Sequence, residues 1–186
     1  MNIGWLFGLR YFRFNEDLFV DFDNLDNTIS YVDPDSEFSH EVDVENNLLG
    51  PQLGVNVDYF LSRRLHLDLG SRFGFYANHI TSSQRIYNAA GPAYLPLATG
   101  DVNFEFQSEE DEIAYLGELR AGLGYKIGRN SRLAFGYRAI SASGVAIASA
   151  QFRDARVNQV PWKIQDINSD GSLLLHGVYA GLDFAW

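Results

Sequence analysis

The chain has 186 residues, a formal net charge of −10 and no cysteine. That length suits one domain. The missing cysteines exclude a disulfide scaffold and a thiolate metal centre, and the acidic balance argues against nucleic acid as a partner, because phosphates demand Lys and Arg. Aromatic residues make up 15% of the chain and glycines number 17, while the hydropathy is near neutral. This suits strands that turn alternate residues to an apolar medium better than apolar helices. No apolar run approaches the roughly 20 residues of a membrane helix. Met1-Asn2-Ile3-Gly4-Trp5 lacks the basic start and apolar stretch of a signal peptide, so this reading expects a signal already removed or a start partway into a longer protein.

Period-two alternation recurs six times along the chain. In 3–13, Ile3, Trp5, Phe7, Leu9 and Tyr11 oppose Gly4, Gly8 and Arg10. In 49–59, Leu49, Pro51, Leu53, Val55, Val57 and Tyr59 oppose Gly50, Gln52, Gly54, Asn56 and Asp58. In 65–75, Leu65, Leu67, Leu69, Phe73 and Phe75 oppose His66, Asp68, Gly70, Arg72 and Gly74. In 115–125, Tyr115, Leu119, Ala121, Leu123 and Tyr125 oppose Glu118, Arg120, Gly122 and Gly124. In 132–142, Leu133, Phe135, Tyr137 and Ala139 oppose Arg132, Gly136 and Arg138. In 176–186, Val178, Ala180, Leu182, Phe184 and Trp186 oppose Gly177, Tyr179, Gly181 and Asp183. Each segment runs about 11 residues, the span of a membrane-crossing β-strand.

The expected connections alternate in length. Short turns fall at Leu61-Ser62-Arg63-Arg64 and Gly128-Arg129-Asn130-Ser131, and long loops at about 15–48, 77–113 and 143–173. Segment 15–46 holds 11 Asp or Glu and no Lys or Arg, and 101–112 holds six more acids. Short turns on one side and long acidic loops on the other are the pattern of an outer-membrane barrel. The glycine-rich charged face agrees, since a solvent face gains nothing from so much glycine. So do aromatics at both ends of the apolar face: Trp5, Tyr59, Tyr125, Phe184 and Trp186 near the short turns, and Tyr11, Phe75, Tyr115 and Tyr137 towards the long loops. The expected fold is therefore all-β, an antiparallel up-and-down transmembrane barrel in one domain over 1–186, located in the outer membrane with the lipid bilayer as its surroundings.

The final strand, Gly177 to Trp186, resembles the terminal strand of bacterial outer-membrane barrels. That resemblance implies recognition of Leu182, Phe184 and Trp186 by the outer-membrane assembly machinery, with Trp186 in place of the usual Phe. Three further segments are Gly8-Leu9-Arg10-Tyr11-Phe12 with Glu16-Asp17-Leu18, Asn47-Leu48-Leu49-Gly50-Pro51-Gln52-Leu53-Gly54, and Gly74-Phe75-Tyr76-Ala77-Asn78. Together they resemble the planctomycete family of outer-membrane β-barrel porins. The family implies location and fold but little chemistry, and its members are generally longer, with further segments before this region. Closed single-chain barrels start at about eight strands. Six strands therefore lead this reading to expect an N-terminally incomplete barrel, extra strands from 16–33 and 152–165, or completion by partner chains.

The expected interior is lined by Arg10, Asp58, Asp68, Arg72, Glu118, Arg120, Lys126, Arg132, Arg138 and Asp183, with His66 on the same side and His176 at the lipid rim. Asp166-Ile167-Asn168-Ser169-Asp170-Gly171 matches the first half of a calcium loop. However, position twelve is Gly177, and a hairpin turn at Asp-Gly is the simpler reading. Asp21-Phe22-Asp23-Asn24-Leu25-Asp26 reads as a solvated acidic loop. His40, His66, His79 and His176 have no nucleophile fixed beside them, so no catalysis is expected. No cofactor is expected beyond that calcium alternative. The function expected is a porin-like passive channel for small polar solutes or ions, in which six basic against four acidic lining residues mildly favour anions. The alternative is a structural or adhesive surface barrel with a filled interior and acidic outer loops.

Overall fold

A computed structural model describes residues 1–22, 38–88, 91–92, 94–97, 100–103, 105–128, 130–152 and 166–184. Six long strands follow in chain order: β1 (Asn2–Phe22), β2 (Phe38–Phe60), β3 (Leu65–Asn88), β4 (Glu105–Lys126), β5 (Ser131–Val145) and β6 (Gly171–Phe184). They form one antiparallel up-and-down sheet in sequence order. Gly91–Pro92 folds back to pair antiparallel with Tyr87–Asn88 at the tip of β3, and Tyr94–Leu97 pairs with Gly100–Asn103. A single 3₁₀ turn, Ala148–Gln151, is the one helical element described, and no described helix is long and apolar enough to cross a membrane.

The two short turns stand where the sequence puts them, between β2 and β3 and between β4 and β5. Leu61 and Ser62 N–H both donate to the Leu65 carbonyl, and Ile127 N–H donates to the Ser131 carbonyl. The strand lengths differ from expectation. β1 to β4 run 21, 23, 24 and 22 residues, and β5 and β6 run 15 and 14. Segments 15–22, 38–48, 77–88 and 105–113 are therefore strand where loops were expected, and 16–22 continues β1 instead of adding a strand. Most of segment 152–165 lies outside the described residues.

The extra length went unread because the apolar parity inverts. In β2 the odd residues Leu49, Leu53, Val55 and Val57 are apolar up to Leu49, whereas beyond it the apolar residues are the even Leu48, Val44 and Val42. Pairing continues through the inversion, since backbone bonds do not depend on which side chains alternate.

The sheet is strongly curved. Arg10 on β1 reaches Glu118 on β4 at 2.8 Å, across three strand spacings that would separate the strands by roughly 14 Å in a flat sheet. The even-numbered side chains of β1 to β4 thus share the concave face. Tyr179 of β6 lies across Gly136 of β5 and Gly122 of β4, where a Cβ would collide with its hydroxyl; glycine lets the ring lie flat over two neighbouring strands. Among the described residues β1 and β6 do not pair, so the sheet has two edges.

Candidate functional site

The concave face carries the chemistry, and it is layered. Nearest the short turns, Arg132 lies 2.8 Å from His66 Nε2, and Lys126 is exposed at the rim. Next, Arg120 pairs with Asp68 at 2.9 Å, and Asp58 stands opposite Asp68 in the β2–β3 register. The centre is Glu118, 5% exposed, with Arg10 at 2.8 Å, Arg138 Nε at 2.9 Å and Arg72 at 3.7 Å. Six of the ten expected interior residues, Arg10, Asp68, Arg72, Glu118, Arg120 and Arg138, are therefore gathered into these ion pairs. Asp183 pairs with Arg132 in the backbone register, and its side chain lies outside the described set, as do Trp186 and Arg129.

Beyond Glu118 the concave face becomes apolar. Leu48, Tyr76, Ala114, Leu116, Ala142 and Val145 form one buried cluster with Phe12, Phe14, Ile140 and Leu173 against it. Val42, Val44, Ile80, Ala146 and Ala148 form a second, with Leu18, Phe152 and Ile167. Between them sit the buried amides Asn46 and Asn78, 3.0 Å apart. Sequence reasoning placed Val42, Val44, Asn46, Leu48, Asn78, Ile80, Val145, Ala146 and Ala148 in loops, and Leu116 and Ala142 inside strands. The signal that finds them is the parity inversion at Leu48–Leu49, repeated at Tyr11–Phe12 and Phe75–Tyr76.

The convex face changes in the opposite sense and at one place. Hydrogen-bond register aligns Tyr11, Leu49, Ala77 and Ile113 across four strands, and the next convex row is Arg13, Asn47, His79 and Asp111. Towards the short turns the convex residues are apolar and exposed, Trp5 at 86% and Leu119 at 63% among them. On the other side they are charged: Arg13 pairs with Glu45 at 2.6 Å, His79 with Asp111 at 2.7 Å and Arg85 with Glu41 at 2.7 Å. The hydrogen bond that His79 Nδ1–H donates to the Asp111 carboxylate pushes the His79 pKa up. The apolar zone also drifts: the row Phe75–Tyr115 continues onto Ser143 and Ser172, while on β5 and β6 exposed Leu133, Leu182 and Phe184 carry it towards the short turns. Strands tilted through a belt of constant height produce such a drift. Leu182 and Phe184 of the expected assembly signal lie on this face.

Asp17 and Asp43 oppose each other in the charged zone. The hydrogen bond that the protonated Asp43 carboxyl donates to Asp17, then burial and the charges of Asp17 and Glu41, push Asp43 up to about 6, with Arg85 opposing. The folded chain thus holds this proton more tightly than the unfolded chain. The contribution is full below the ordinary value of 3.8 and is lost as pH rises through about 6. Asp43→Asn should therefore flatten the pH 4 to 6 dependence of amide protection in the β1–β2 hairpin beyond Tyr11; an unchanged slope would show that the two carboxyls share no proton.

Asp166 and Asp170 are exposed, and the Asn168 side chain accepts the Asp170 N–H at 3.2 Å in a local turn. Among the described residues no three His, Asp or Glu side chains converge as a metal set. His176 is on the convex face, in contact with Tyr137. Comparison of the chain with protein-family models, curated proteins and solved structures finds no match.

Proposed function

We propose that this chain forms the wall of an outer-membrane β-barrel. Within that class we propose a porin-like passive channel for small polar solutes, in which the charged residues of the concave face line water. One observation carries the reading: polarity inverts on both faces of the sheet at a single row across four strands. A soluble barrel or sandwich keeps one continuous apolar face, and exposing Trp5, Phe7 and Leu9 together would be a large unexplained patch in water. Leu65 to Ala77 spans roughly 40 Å along β3 at about 3.3 Å per residue, or about 30 Å of height at a tilt near 40°. That is the hydrocarbon thickness of a bilayer. Beyond the row, the hairpins stand in water with charges outside and apolar residues inside.

The free edges of β1 and β6 would be costly in lipid, so further strands, from this protein or a partner chain, complete the wall, and the assembly machinery acts on the terminal strand. In the membrane-crossing part, Arg10, Arg72, Arg120, Arg132 and Arg138 outnumber Asp58, Asp68 and Glu118 on the concave face, which favours anions mildly. A second reading, a structural surface barrel with a filled interior, is favoured by the two buried clusters that fill the far half of the concave face. Single-channel conductance of the full-length protein in a planar bilayer separates them. Steady, anion-preferring current supports the channel; insertion without current overturns it in favour of the filled barrel.

A further inference from the structure

The connection from β5 to β6 does not leave the sheet outward. Gly144 has φ of +75°, and a Cβ there would meet the Ile113 carbonyl oxygen and Ala114 Cα; glycine permits this turn. The chain then crosses the concave face, with Val145, Ala146 and Ala148 fully buried.

Side chains of three other strands hold it there. Asn46 Nδ2 donates to the Ala146 carbonyl at 2.8 Å, and Asn46 Oδ1 accepts the Ala146 N–H at 2.9 Å. One side-chain amide thus satisfies both backbone groups, as a neighbouring strand would. Asn78 Nδ2 donates to Asn46 Oδ1 at 3.0 Å and to the Gly144 carbonyl at 3.1 Å. The Glu16 carboxylate accepts the Ala148 N–H at 2.9 Å. Gln151 ties the outgoing limb to the returning one: its amide donates to the Asn168 carbonyl at 3.0 Å and its oxygen accepts the Asn168 N–H at 2.9 Å. Buried peptide groups without such partners would be strongly unfavourable. The small residues Ala146, Ala148, Ser149 and Ala150 let the backbone itself approach the sheet. A cluster needed only for packing requires no such set of amides, whereas one that must hold a segment in a single place does.

We propose that Gly144–Gln151 is a strap that closes the concave face at the end away from the short turns and sets how large a solute passes. Asn46 and Asn78 are the positioning residues that hold it. The proposal rests on the channel reading, but the strap's docking is measurable apart from conduction. With full-length protein refolded in lipid, amide exchange at Ala146 and Ala148 reads docking, and single-channel conductance with polymers of graded size reads the opening. Wild type should protect both amides. Asn46→Ala should raise their exchange by about tenfold or more, the loss of paired buried hydrogen bonds, and raise both the conductance and the polymer size admitted. Gln151→Ala, outside the sheet, should act in the same direction if Asn46→Ala fails to fold.

Unprotected Ala146 in wild type would overturn the strap whatever the current. Released amides with unchanged conductance and size limit would overturn its role at the opening. Protected amides that are released on mutation, with no current in either form, would leave the strap docked while overturning both its role in passage and the channel reading.

Discussion

Replacing Leu119 by arginine should destabilise the protein in lipid by about 2–4 kcal/mol, the depth-dependent penalty for a cation near the bilayer midplane. Leu119 is 63% exposed on the convex face, four register rows from the charged row that begins at Arg13. In water, arginine at so exposed a position would be neutral or mildly favourable. The sign of the effect therefore decides between lipid and water as the medium. Gln107→Arg is the control: Gln107 is exposed beyond the inversion row, opposite Ser83, and should change stability by less than about 0.5 kcal/mol. Denaturant titration of both variants folded into vesicles makes the measurement. Equal, small effects would remove the basis for placing the convex face in lipid.

Glu118→Ala should be the most damaging change on the concave face. It leaves Arg10, Arg72 and Arg138, all within 3.7 Å of one carboxylate, facing one another without their common counter-charge. Removing one member of a buried ionic set costs about 3–5 kcal/mol; the lower end, about 3 kcal/mol, applies because Arg138 and Arg72 remain 43% and 27% exposed. The loss should shrink as salt rises, because added anions screen the three guanidinium groups. Asp68→Asn should cost about 1 kcal/mol or less, since Arg120 reaches solvent and has only a pairwise claim on it. Unfolding of the two variants at low and high salt tests the ranking. A Glu118 variant no worse than the Asp68 variant would mean that the three arginines find partners elsewhere.

The fold was largely legible because strand signals are local. Alternation between Ile3 and Tyr11, Leu49 and Tyr59, Leu65 and Phe75, and Tyr115 and Tyr125 places each strand without reference to any other. The turns expected at 61–64 and 128–131 fix which strands are neighbours. Side-chain parity also put Arg10, Arg72, Glu118, Arg120 and Arg138 together on one face, because a strand's period is two whatever surrounds it.

The strand ends were not legible. A window that follows one parity stops at Leu49 or Phe75, where the apolar residues change sides. Only register, aligning Tyr11, Leu49, Ala77 and Ile113, reveals these stops as one boundary instead of four strand ends. Tertiary structure alone also decided which charges meet. Arg10 and Glu118 are 108 residues apart, and their contact requires a curvature that no local pattern encodes. The same holds for Asn46, which reads as one more polar residue of an acidic segment until the chain folds Ala146 against it across 100 residues. Sequence determined the strands and their faces because backbone geometry is local; structure decided the ion cluster, the strap and the boundary row, because each depends on distances between strands.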